Sequence, residues 1–257
     1  MKLSVVLIAA GALALAGCAG SSKPAPAPAP SSPASSPSSA SSGPAAALTF
    51  HEGALLVNEN FKDNHQRWST QKDADVSLHF IPWVDGHTEY GMTILKKSIS
   101  VHSKPELRGL TPAQITDSVV AANYSTSLYV SADDQFGVTC RAYQGNRYQF
   151  VVQRQTDGTQ FWGIVKHTAK DGTLLAHGRS SEKATRISGS CVGGGVSGPV
   201  HLGMSIGGVP VGQVDDPKPF KLGYSGLFAH TASTDKIIGS RLTFNVINWQ
   251  LHTATVS

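Results

Sequence analysis

From residue 115 onward the chain is a succession of short β-rich runs punctuated by Gly and Asp, and this punctuation limits the possible folds more than any other feature. Runs at 118–130 (SVVAANYSTSLYV), 136–143 (FGVTCRAY), 147–155 (RYQFVVQRQ), 160–168 (QFWGIVKHT) and 173–180 (TLLAHGRS) read as strands. So do 184–192, 201–206, 209–214, 224–230 and 241–251. Between them, QGN (144–146), TDGT (156–159), KDGT (170–173) and Gly207-Gly208 supply residues that tolerate the positive φ of tight hairpins. Upstream, 54–58, 76–83 and 90–102 continue the β pattern. The helix signal is confined to TPAQ (111–114), with Thr as N-cap, Pro at the first helical position and Gln three residues after the cap. With no helical stretch of about 10 to 15 residues between strands, parallel βαβ units are excluded as a main theme. The expected fold is an all-β, antiparallel two-sheet sandwich.

The first 47 residues have a different character. Lys2 followed by the apolar stretch from Leu3 to Leu15 has the form of an export signal, too short to span a bilayer as an ordinary helix. LAGC (Leu15–Cys18) resembles the bacterial lipobox, which implies cleavage before Cys18 and a diacylglycerol on its sulfur. Residues 1–17 are then a lipoprotein signal peptide. Acyl chains such as palmitate contribute about 0.8 kcal/mol per buried methylene, enough in pairs to anchor a domain without a spanning helix. Residues 18–47 continue as the lipidated Cys and a tract of Ser, Pro and Ala that cannot build a core. At about 3.1 Å per residue in polyproline II, this tether reaches at most roughly 80 Å. The expected location is outside the cytoplasm, lipid-anchored to the bacterial cell membrane.

Residues 48–257 suffice for one β-sandwich domain. The formal net charge of +4 comes without any Lys/Arg run, so nucleic acid is not an expected partner. Of the three cysteines, Cys18 is assigned to lipid. Cys140 and Cys191 remain, in a compartment where disulfides persist, and are expected to pair.

Several segments in order carry a further resemblance: ENFKDNHQRW (59–68), FGVTCRAYQGNRYQFVV (136–152), a DGT hairpin, RISGSCVGG (186–194), HLGMSIGGVPVGQVDD (201–216), YSGLFA (224–229) and LTFNVINW (242–249). The chain from about 55 to 250 is similar to bacterial concanavalin A-like (laminin G-like) jelly-roll domains. It departs from them in its opening Glu-Asn pair, in Gly207-Gly208 where Asn-Gly is usual, and in a looser 191–200. The resemblance implies a jelly-roll sandwich, and lipid-anchored examples of the kind are typical of actinobacterial envelopes.

Motifs for catalysis are missing. Retaining glycosidases of this architecture place two carboxylates about 5 Å apart through a Glu-x-Asp-x-x-Glu strand, and that motif is absent. The pairs Asp73/Asp75, Asp133/Asp134 and Asp215/Asp216 read as solvated turns. The ten histidines show no zinc-site spacing and read as scattered surface residues; no metal or other cofactor is expected. GGGVSG (193–198) lacks a phosphate loop's Gly-Lys-Ser/Thr, and no Gly-x-Ser-x-Gly elbow occurs.

Trp68, Trp249, Phe61 and Phe228 read as core. Since Cys140 must face its partner, strand alternation puts Arg141 and Tyr143 on the opposite side, beside Gln149 and Gln153 of the next strand. Trp162 and Lys166 would complete a face that stacks on and hydrogen-bonds to sugars, although FWGIV is apolar on both parities and could present Phe161 instead. The expected role is non-catalytic recognition of an envelope or extracellular glycan. The alternatives are an envelope protein-interaction or assembly factor and a glycoside-acting hydrolase with an unrecognised site.

Overall fold

The computed structural model of the protein describes residues 48–96, 99–125, 134–155, 157–194, 198–231 and 242–257. Residues 1–47, with Cys18 and the linker, lie outside the described residues, as does Asp133. In chain order the elements are β1 (Phe50–Glu59), β2 (Gln71–Lys72), β3 (Val76–Pro82), β4 (Thr88–Ile94), β5 (Ser100–Ser103), α1 (Pro112–Thr116), β6 (Ser118–Tyr124), β7 (Gln135–Tyr143) and β8 (Asn146–Arg154). β9 (Gln160–His167), β10 (Gly172–Ser180), β11 (Arg186–Gly193), β12 (Val200–Ile206), β13 (Val209–Asp216), β14 (Tyr224–His230) and β15 (Leu242–Val256) follow. The result is an all-β jelly-roll sandwich of two antiparallel sheets. The larger has the order β13-β12-β11-β6-β15-β4-β3-β2, with β1 also paired to β15; the smaller runs β10-β9-β8-β7-β14-β5.

Local chemistry accounts for the connections. Gln144-Gly145 and Gly207-Gly208 are two-residue hairpin loops in which both residues have positive φ, matching the right-handed twist of the flanking strands. α1 starts at a capping box: Gln114 N donates to the Thr111 hydroxyl, and Thr111 N donates to the Gln114 side chain. The stretch 90–102, expected as one strand, divides into β4 in the large sheet and β5 in the small one. A chain that passes from one sheet to the other must break its ladder at the crossing, and apolar alternation on both sides hides that break.

The core lies between the sheets. Val138, Cys140, Phe150 and Ile164 of the small sheet meet Val120, Ala122, Leu202, Phe244 and Trp249 of the large one. Phe61, Trp68, Tyr90 and Trp249 form an aromatic group with centroids 5.3–5.5 Å apart. Phe61 enters it through a loop held by buried Glu59, whose Oε1 accepts from Phe61 N (2.7 Å) and Oε2 from Gln66 N (3.3 Å). The opening acidic-Phe motif is thus a carboxylate that satisfies the amides of a turn where Phe61 has φ 62°. Among the described residues, no helix is long and apolar enough to cross a membrane.

Cys140 and Cys191 form a disulfide that joins β7 of one sheet to β11 of the other across 51 residues. Closing a loop of that length lowers the entropy of the unfolded chain, worth about 4 kcal/mol. A Cys140→Ala, Cys191→Ala double variant is therefore expected to lose about that much stability by non-reducing chemical denaturation. An unchanged midpoint at unchanged slope would contradict this role.

Candidate functional site

Strand alternation gives the small sheet an inner face on the core and an outer face. On the outer face lie Ser100 and His102 of β5, Phe228 and His230 of β14, Gln135, Gly137 and Thr139 of β7, Arg147, Gln149, Val151 and Gln153 of β8, Phe161, Gly163, Val165 and His167 of β9, and His177 of β10. Phe228 and Val151 are buried yet stand outside the inter-sheet core. Glycines make its floor: a Cβ on Gly137 would meet the backbone of Phe150 and the Phe228 ring, and one on Gly163 would meet Leu174. Thr139 and Gln149 lie deep between their neighbours, 3% and 4% exposed. Phe161, Gln135 and Gln153 are half-buried, and His102 and His177 are exposed. Two ring pairs lie nearly flat on one another, His102 with Phe228 (6.2 Å, 24°) and Phe161 with His177 (5.8 Å, 28°). Gln135 Nε2 donates to Gln153 Oε1 across the strands (3.3 Å).

Four of the six residues expected on this face are placed elsewhere. Arg141 has φ 50°, and the β7–β8 register slips between Cys140 and Tyr143. Two residues of β7 oppose one of β8, so alternation is interrupted and Arg141 turns inward beside Cys140. Its side chain is fully buried: Nη2 donates to Asp117 Oδ1 (3.1 Å) and to the Gly193 carbonyl, Nη1 to the Phe220 carbonyl (2.9 Å), and Nε to the Thr116 carbonyl (3.4 Å). Tyr143 is half-exposed, but at the hairpin tip. Trp162 faces inward, 7% exposed, over Gly178 and Gly212; a Cβ on Gly212 would come within 2.1 Å of the indole. Phe161 therefore takes the outer side. Lys166 is paired 2.6 Å from Asp216, whose carboxylate also accepts from Tyr148 OH (2.6 Å). Burial, with the adjacent Asp216, pushes the Tyr148 phenol well above its usual range. Only Gln149 and Gln153 remain on the face. The solvated-turn reading holds for Asp73 and Asp75, but Asp134 and Asp216 are buried.

Four of the ten histidines are not scattered. His102, His167, His177 and His230 come from four strands to this one face, and Arg147 joins them opposite His167. Desolvation first, then repulsion from Arg147, His167 and His230, lowers the His102 pKa to about 3 although solvent reaches the ring. Desolvation, Arg147 and His230 lower His167 to about 4. Burial also lowers His230, against the pull of Asp134. These imidazoles are neutral at pH 7. Among the described residues, no group of three or more His, Cys, Asp or Glu is placed to hold a metal ion.

A second signal was readable in the sequence: the six strands of this sheet contain no Asp or Glu, against five Arg or Lys and four His. Summed over the whole chain, the charge is only mildly positive and conceals this segregation.

No family model matches the chain, and no curated protein matches it. Among solved structures, it is similar to a xylan β-1,4-xylosidase from Bacillus halodurans C-125 (13% identity, TM-score 0.46), covering 76% of this chain and 38% of that one. It is also similar to a β-glucanase from Bacillus licheniformis (10%, TM-score 0.47; 78% and 98% covered) and to a carbohydrate-binding module from Bacillus subtilis (10%, TM-score 0.39; 74% and 94% covered). The chain thus spans well under half the length of the xylosidase. At these scores the likenesses assign it no activity.

Arg141 acts as a clamp between the sheets, so Arg141→Ala is expected to destabilise the fold by about 3 kcal/mol through the unpaired carbonyls and carboxylate it leaves behind. The denaturation midpoint reads this. A midpoint as in the parent protein would mean the clamp contributes nothing.

Proposed function

We propose that this protein is exported, held at the bacterial membrane by a lipid on Cys18, and presents residues 48–257 beyond its Ser-, Pro- and Ala-rich linker as a glycan-recognition domain without hydrolytic chemistry. The observation that carries the recognition reading is the outer face of the small sheet. It sets the half-buried amides of Gln135 and Gln153, over a floor that holds Thr139 and Gln149, beside the flat rings of Phe161, His102 and His177, the combination of stacking and hydrogen bonding that sugars need. Recognition is favoured over cleavage because glycoside hydrolysis relies on a carboxylate pair, and the six strands of this sheet carry no carboxylate. Lipidation is supported by the Leu15–Cys18 sequence following an apolar stretch.

Two experiments test these parts separately. Binding of the full chain to a glycan array, followed by titration of the best hit, is expected to weaken by about 1 kcal/mol or more in Phe161→Ala, whereas Tyr143→Ala binds like the parent. Equal affinity of a folded Phe161→Ala variant would remove the face from the reading. In cells, Cys18→Ala is expected to leave the membrane fraction or to keep its signal uncut. Normal processing with undiminished membrane association would exclude the lipid anchor.

A further inference from the structure

Four of the five cations of the small sheet divide into two kinds, the fifth, Arg154, standing exposed at the end of β8 on the parity opposite Arg147. Arg141 and Lys166 turn inward to Asp117 and Asp216, and Arg179 reaches Asp157 at 3.3 Å. Arg147 is different. It lies on the outer face and makes one hydrogen bond, Nη1 to the Gly145 carbonyl (3.2 Å); its buried Nε has no partner, and it forms no ion pair among the described residues. A guanidinium carries five N–H donors in a planar fork suited to carboxylate and sulfate oxygens. Leaving a buried donor unpaired is costly, so this group is prepared for an acceptor that arrives from outside.

The groups around it favour an anion. His167 is its cross-strand neighbour on β9, and His102 of β5 and His230 of β14 lie within electrostatic reach. Lys104, just beyond β5, sits over the Tyr224 ring at 3.7 Å. The acidic group facing this set is Asp134, at the start of β7, which acts on His230. The ring faces and amides of the same surface select for saccharide rather than for a bare ion.

We propose that this surface recognises an acidic glycan, its carboxylate or sulfate group seated against Arg147 beside His167. The inference rests on reading the face as a glycan surface and adds the ligand class.

Isothermal titration of the full chain against polygalacturonate, heparin, neutral dextran and poly-L-glutamate tests this. One or both acidic polysaccharides are expected to bind about tenfold or more tightly than dextran or poly-L-glutamate, and to lose affinity as salt is raised. Binding to polygalacturonate shows that a carboxylate suffices, and binding to heparin alone assigns the contact to sulfate. Arg147→Gln is expected to weaken that binding about tenfold. Dextran binding as tightly as the acidic polymers overturns the acidic class while leaving a glycan surface. Poly-L-glutamate binding as tightly as the sugars overturns the glycan reading. No binding to polygalacturonate or heparin, or an affinity for them unchanged in a folded Arg147→Gln variant, overturns the proposal.

Discussion

The kink of β7 at Arg141 is the constraint on which the rest of the sandwich depends. A non-glycine residue at φ 50° costs on the order of 1 kcal/mol in local backbone energy. The return is that two consecutive side chains, Cys140 and Arg141, both point between the sheets. One bonds covalently to β11 and the other donates to Asp117 Oδ1 and the carbonyls of Thr116, Gly193 and Phe220. Asp117 Oδ1 also accepts from Gly193 N (3.0 Å), so the end of α1, the end of β11 and the segment before β14 meet at one guanidinium. A charge is stable there because its donors are matched by oxygens.

That clamp also decides what the outer face is made of. By drawing Arg141 inward it removes the charge from one side of β7 and leaves Gly137 and Thr139 as floor, flanked by the rings of Phe228 and Phe161. Arg147, its neighbour in sequence across the hairpin, stays outside with three imidazoles. Desolvation first, and after it repulsion from Arg147 and the other imidazoles, holds His102 and His167 neutral at pH 7. Sandwich stability and surface chemistry are linked through the same hairpin.

Much of the fold was legible in the sequence because its signals are local. Gly207-Gly208 and Gln144-Gly145 mark hairpins, Thr111 to Gln114 spells a cap, and cysteine number fixes the pairing of Cys140 with Cys191. What was not legible depends on residues far apart in the chain. TCRAY contains no glycine to announce a bulge, so simple alternation put Arg141 on the wrong side. Trp162 turns inward because Gly178 and Gly212, from β10 and β13, leave room for an indole, which the apolar run FWGIV does not disclose. Lys166 depends likewise on Asp216, fifty residues away. The four histidines of the outer face stand on β5, β9, β10 and β14, separations at which no spacing rule operates.

The central claim is that the outer face of the small sheet brings Arg147 and four histidines to one surface and holds His102 and His167 uncharged. Following the imidazole C2–H and C4–H resonances of all ten histidines by NMR as pH is lowered tests it most directly. The account predicts that His102 and His167 remain neutral through pH 5, with midpoints near 3 and 4. Midpoints near 6.5 for both His102 and His167 would contradict the account.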